Sequence, residues 1–208
     1  SADRSSVGLT IVERSAGATG NWRLLAKTGW SDVSPSLALS AGGAVNVAFV
    51  RQGSGLRFTS NNTGTWRVEV IPGTASRSFS PALALTNGGT PSIAYVAQTS
   101  RTNASIRIAS KTASGWTTRT IATGDVGEPS LKIDQWSRRH IVYVRRGGTA
   151  PGLYYATDRS GTWKTIRIAA ARDVSAPRLV LDLARHVHVA YVRGEPLAPR
   201  VMYVTNVS

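Results

Sequence analysis

Cysteine is absent from all 208 residues, which excludes disulfide staples and thiolate metal sites. Acids are scarce: Asp and Glu total 11 against 25 Lys and Arg, for a formal net charge of +14. Paired-carboxylate chemistry is correspondingly hard to place, so the expectation from composition is a protein that is not an enzyme. Only three histidines occur, and with no cysteine beside them no metal site and no cofactor are expected. No apolar run approaches the ~18 residues of a bilayer span. P-loop, nucleophile-elbow and HExxH motifs are missing too.

What the chain does contain is a repeat. Trp22, Trp66, Trp116 and Trp163 fall 44, 50 and 47 residues apart. Each opens a short strand such as Trp66-Arg-Val-Glu-Val-Ile71 or Trp163-Lys-Thr-Ile-Arg-Ile168. A Pro-led apolar strand follows each: Pro35-Ser-Leu-Ala-Leu39, Pro81-Ala-Leu-Ala-Leu85, Pro129-Ser-Leu-Lys-Ile133 and Pro177-Arg-Leu-Val-Leu181. A third strand comes next, from Val45-Asn-Val-Ala-Phe-Val50 to Val187-His-Val-Ala-Tyr-Val192, and then a fourth, from Leu56-Arg-Phe-Thr-Ser60 to Val201-Met-Tyr-Val-Thr205. Four strands at a period in the forties predict an all-β propeller of four-stranded blades, with four recognisable repeats plus an extra N-terminal strand pair. The repeat predicts a single propeller domain over residues 1–208.

Inner strands of a blade are covered on both faces and should read as continuous apolar runs. The Pro-led strand is therefore placed innermost. The Trp-led strand, carrying Arg67, Arg119 and Arg167, is the outer edge, where charge discourages edge pairing. The turns Asn61–Thr65, Lys111–Gly115 and Asp158–Thr162 read as tight hairpins.

Ser60-Asn-Asn62-Thr-Gly64-Thr-Trp66 and Thr157-Asp158-Arg-Ser-Gly161-Thr-Trp163 resemble shortened Asp-boxes, the Ser-x-Asp-x-Gly-x-x-Trp hairpin of sialidase-like secreted propellers. The repeat as a whole resembles the BNR-like repeats of secreted bacterial proteins, with Asn62, Thr112 and Arg159 where that family carries Asp. The resemblance implies a fold, the box being a folding element there. A sialidase likeness would also imply an arginine triad, a Tyr/Glu pair and an Asp on six blades, a set that does not map onto this chain. The resemblance implies an extracellular or cell-surface location. Ser1-Ala2-Asp3 reads as what a cleaved leader would leave, and sequons stand at Asn61, Asn103 and Asn206.

Two questions follow from the strand tally. Leu9–Glu13 and the Trp22 strand are a third and a fourth strand with no first or second before them. The expectation is that the Trp22 strand completes the last blade beside Val201–Thr205, the alternative being strands supplied from elsewhere or by a second copy. For ligands, the face holding the loops after the second and the outer strands carries Asp32, Asp125 and Asp173 with Arg51, Arg145 and Arg193, and Trp30 nearby. Such a ring could fork an anionic sugar; equally, each Asp could cap a turn and pair with an Arg of the neighbouring blade. His140 and His188 recur in the second strand and read as satisfied structural histidines, and Trp136 sits in a turn. The function expected is a noncatalytic secreted module binding glycan or acidic polysaccharide, with nucleic acid set aside. The alternatives are an assembly subunit with a protein partner or self-association, and a fragment of a sialidase-like enzyme.

Overall fold

The computed structural model describes residues 8–14, 22–74, 77–100, 103–194 and 198–207. The chain's strands are β1 Gly8–Arg14, β2 Trp22–Trp30, β3 Asp32–Leu39, β4 Val45–Arg51, β5 Gly55–Ser60, β6 Arg67–Val70, β7 Ser78–Leu85, β8 Pro91–Gln98 and β9 Ala104–Thr112. They continue as β10 Gly115–Gly124, β11 Val126–Ile133, β12 Arg139–Arg145, β13 Gly152–Thr157, β14 Lys164–Ala169, β15 Val174–Leu181, β16 Val187–Arg193 and β17 Arg200–Thr205. Among the described residues there is no helix, hence none long and apolar enough to cross a membrane. The strands form antiparallel sheets β3-β4-β5-β6, β7-β8-β9-β10, β11-β12-β13-β14 and β15-β16-β17, with β1-β2 as a separate pair. Successive sheets stack face to face, β3 on β7, β7 on β11 and β11 on β15, like the blades of a propeller.

Within each blade the strand order is the expected one, Pro-led strand innermost. The continuous burial is in the second strand instead. In β4, β8 and β12 the central residues, Val47–Val50, Ile93–Val96 and Ile141–Val144, are all buried. These strands have partners on both edges and are covered on both faces, β8 and β12 by a blade on each and β4 by the second blade and the β1-β2 pair. The inner strands are less evenly buried, since each borders an open channel.

Every inner strand carries a β-bulge at its proline, where pairing slips between Val33 and Ser36, Phe79 and Ala82, Gly127 and Ser130, and Ser175 and Arg178. The residue before the proline takes a left-handed backbone each time: Ser34 at φ 53°, Ser80 at 51°, Glu128 at 53° and Ala176 at 48°. A bulge bends the strand and turns its side chains, and backbone of this kind persists only where surroundings hold it. Its recurrence in all four blades makes the bend an architectural device.

Blades are joined by repeated contacts. Trp116 packs edge-on against Phe58 of the preceding blade, centroids 5.3 Å apart, and its Nε1 donates to Glu69 at 2.7 Å. Such an aromatic pair adds about 0.5–1.5 kcal/mol beyond its buried area. Burial would raise the Glu69 pKa, but hydrogen bonds from Lys111 and Trp116 outweigh it and hold the group below its ordinary value. Trp66 and Trp163 sit likewise against the unit before them. Nearer the axis, the Leu83 and Leu179 amides donate to Ser36 Oγ and Ser130 Oγ of the preceding blade, at 2.9 and 3.1 Å.

The turns repeat as well. The side chains of Ser40, Thr86, Asp134 and Asp182 accept the amide four residues on, at 2.7–3.0 Å. Outer hairpins are tied by Asn61, Asp158 and Asn206, whose Oδ1 atoms accept the amides of Val45, Arg139 and Val187 at 2.6–2.7 Å. These ties use Asn61 and Asp158, the residues just before Asn62 and Arg159. Two of the three sequon asparagines are thus structural acceptors.

The N-terminal pair departs from expectation. β2 pairs with β1, and among the described strands β17 pairs with β16 alone. Ile11 packs on Val47 and Phe49 of β4 and β1 also approaches β3, so the pair covers part of the first blade's free face and does not pair with β17. The Trp22 strand pairs with β1 because the two lie close in sequence, and closing a short separation costs less entropy than reaching a distant edge.

Candidate functional site

The four inner strands surround a channel of about 680 Å³, within the size range of small-molecule sites. Ser34, Ser36, Ser80 and Ser130 line it beside Leu37, Leu83 and Leu131, and Glu128, Lys132 and Arg178 bring charge into it. Glu128 is the single carboxylate among the described residues of this lining. It occupies the left-handed position before Pro129 that is filled by Ser34, Ser80 and Ala176 in the other blades. Oε1 accepts from Arg146 Nη2, and Oε2 accepts from the Ala176 amide of the next blade. A Cβ at Gly127 would come within 2.8 Å of Arg146 Nη1, so the missing side chain gives the guanidinium room beside Glu128. About a third of the Glu128 side chain remains exposed to the channel (32%).

Sequence reasoning missed Glu128. The signal was available: lining up the four prolines shows two serines and an alanine beside a lone glutamate.

The expected Asp/Arg ring forms unequally. Arg51 grips Asp32 with two bonds, Nε to Oδ1 at 2.8 Å and Nη2 to Oδ2 at 3.0 Å, and the carboxylate is fully buried. The Asp32 hydrogen bond raises the Arg51 pKa against the opposing effect of burial. Burial lowers the pKa of neighbouring Arg57, and the charge of Arg51 adds to that. Arg193 Nε lies 3.8 Å from Asp173 Oδ1 in an exposed pair. Arg145 turns over the Tyr154 ring, 5.3 Å from its centroid, and Asp125 packs against Gly147. The pairs that form lie within one blade. Of Trp30 only the backbone, paired with Gly8, is described.

The histidines form two copies of one network. In the third blade His140 Nδ1 meets Tyr155 Oη at 2.6 Å, and Nε2 faces Asp134 Oδ2 at 3.5 Å. Burial lowers the His140 pKa, and Asp134 only partly offsets it. In the fourth blade His188 Nδ1 meets Tyr203 Oη at 2.6 Å, and Nε2 meets Asp182 Oδ2 at 3.2 Å, with His186 on the same carboxylate at 2.8 Å. Trp136 carries Arg185 of the next blade over its ring at 4.0 Å, so it joins two turns.

No family model matches the sequence, and no curated relative matches it. Solved structures do share its architecture. The GH93 α-L-arabinofuranosidase of Fusarium graminearum aligns at TM-score 0.58 and 14% identity, covering 84% of this chain and 62% of that one. The xylan β-1,4-xylosidase of Bacillus halodurans aligns at 0.54 and 17%, covering 85% and 40%. The NanB sialidase of Streptococcus pneumoniae aligns at 0.56 and 11%, covering 95% and 35%. The fold is thus β-propeller-like, of the type found in sialidase-like and related glycoside hydrolases, and the chain spans less than two thirds of the length of these three structures.

Two expectations are corrected by these likenesses. The arginine excess and the Asp/Arg face suggest a noncatalytic binding module, and the scarcity of acids a protein that is not an enzyme. Several solved structures that share this architecture are glycoside hydrolases, so the fold gives no ground for that exclusion. Counting acids over a whole chain was the wrong measure, because this chemistry depends on where one or two of them stand.

Proposed function

We propose that the chain is the blade array of a secreted, carbohydrate-active propeller of the glycoside hydrolase type, with the substrate sugar held in the central channel. The observation that carries this reading is Glu128: the one carboxylate of the channel lining among the described residues, set on a bulge and fixed on both oxygens. A carboxylate so arranged is an acceptor, suited to attack an anomeric carbon or to take a proton from water. Lys132, Arg178 and the serine hydroxyls offer donors to sugar oxygens. Hydrolysis by this chemistry uses two carboxylates, so turnover and binding are to be read separately.

The test is hydrolysis of aryl α-L-arabinofuranoside, β-xyloside and α-sialoside by the native chain and by Glu128→Gln. Turnover of one glycoside, reduced at least about a hundredfold in the variant with binding retained, supports the reading. Glycan binding without turnover of any substrate, or turnover indifferent to Glu128→Gln, overturns it.

A further inference from the structure

The turns that join first to second strands follow Leu39, Leu85, Ile133 and Leu181, where the four inner strands end, and so stand together at one mouth of the channel. They share one backbone shape. Its fourth position is left-handed in every blade, with the amide donating to the carbonyl three residues back. Gly43 at φ 81° and Gly89 at 79° fill it in the first two blades, Ser137 at 64° in the third and Arg185 at 71° in the fourth. Glycine meets no steric cost there, whereas a side chain is held against strain. Folding alone favours glycine, so the Arg185 side chain calls for another reason. Its guanidinium carbon lies 4.0 Å from the ring centroid of Trp136 in the third blade's turn, and that of Arg138 lies 5.1 Å from the same centroid. The turn that carries the ring is itself fixed. The Trp136 amide donates to Asp134 Oδ1 at 2.9 Å, and the Gln135 carbonyl accepts from Asn87 of the second blade at 3.5 Å. Two cations thus share one half-exposed indole (45%), and among the described residues neither guanidinium has a hydrogen bond or an ion pair. Asp134 and Asp182, the acids of these turns, are committed to backbone amides and to His140, His186 and His188. Lys132, exposed in the channel lining two residues before Asp134, adds a third charge.

We propose that this mouth is a subsite for the anionic group of an acidic glycan, a uronate carboxylate or a sulfate ester, an assignment that rests on the channel being a sugar site. Arg138 and Arg185 are its forks and Trp136 is their support. Stacking on the indole occupies the guanidinium face and leaves the N–H edges in water, oriented before any ligand arrives. Such an edge meets a carboxylate or a sulfate with two parallel hydrogen bonds. An anion held by both arginines also offsets their mutual repulsion, since neither has an acid partner among the described residues. Along β11, Lys132 stands four residues from Glu128, roughly 13 Å at the rise of a strand. The charge selected at the mouth is therefore not on the sugar beside Glu128 but on one further along the glycan.

Binding of fluorescent oligogalacturonate and of dextran sulfate to the full chain, with neutral dextran for comparison, tests the site. Saturable binding of at least one anionic glycan and not of dextran is expected, and the tighter of the two assigns carboxylate or sulfate. Arg185→Gly and Arg138→Gln should each weaken it at least about fivefold, the scale of a lost charge-assisted hydrogen bond. Trp136→Leu keeps every charge and should weaken it too, which general attraction to a basic surface would not produce. Arg67→Gln, on an exposed outer strand, removes the same charge and should leave affinity within about twofold. Circular dichroism checks that each variant is folded. Arg185→Gly also relieves the backbone, so thermal unfolding should not fall; a fall with binding unaltered makes the stack a structural joint and overturns the proposal. No binding, binding weakened equally by Arg67→Gln, or binding indifferent to Arg138 and Arg185 overturns it, as does equal affinity for a single-stranded oligonucleotide. The assay reads binding alone, so a chain that hydrolyses no glycoside can pass it and a hydrolase of neutral glycans fails it.

Discussion

The third and fourth blades carry the same polar trio, and only one of them is covered. Asp134, His140 and Tyr155 lie under the fourth blade; Asp182, His188 and Tyr203 reproduce the arrangement in the open. Identical local chemistry in different surroundings separates what a strand specifies from what stacking adds. The hydrogen bonds come with the strand. The desolvation that lowers the His140 pKa comes from burial between blades.

The sharpest way to break this comparison is to empty the covered position and its uncovered twin. Leu153→Ala should cost about 2–5 kcal/mol, since the site is packed on all sides. Val201→Ala, at the matching position, should change stability by less than about 0.5 kcal/mol. Equal losses in urea unfolding would show that the fourth blade's outer face is covered in solution.

The ion pairs give a second contrast. Asp32→Ala strands Arg51 and removes a buried acceptor, so a loss of about 3 kcal/mol is expected in the same assay. Asp173→Ala touches an exposed pair and should cost no more than a few tenths.

The expected Asp/Arg ring also shows how much of the molecule was legible in sequence. The tryptophan period, the Pro-led inner strands and the order of strands within a blade follow from spacing and polarity. The ring did not follow, because Asp32 stands three residues before its proline and Asp125 and Asp173 stand four. Asp32 thus enters the strand opposite Arg51, while Val126 and Val174 face Arg145 and Arg193. One residue changes the face a side chain takes. Glu128 is legible as the odd residue before the four prolines, but its backbone bend and its contacts with Arg146 and Ala176 are set by the fold. The place of β1-β2 depends on partner choice, which strand polarity does not encode.

Acidification sharpens the comparison at smaller amplitude. His140 is held neutral, with its pKa below the ordinary 6.5. The unfolded chain therefore takes up a proton first as pH falls through 6.5, and stability that is complete above this value declines toward the lower folded value. His140→Asn, which copies Asn46 of the first blade, should remove that part of the decline between pH 7 and 5, as read from thermal unfolding. An unaltered slope would assign the acid sensitivity to other groups.

The central claim is that the fourth blade's outer face is built like a blade interface yet left open, and amide hydrogen exchange tests it most directly. β13 and β17 are equivalent strands, one enclosed and one at an edge, so β17 amides should exchange at least about a hundredfold faster than those of β13. Equal protection of the two strands in the isolated chain would contradict the claim.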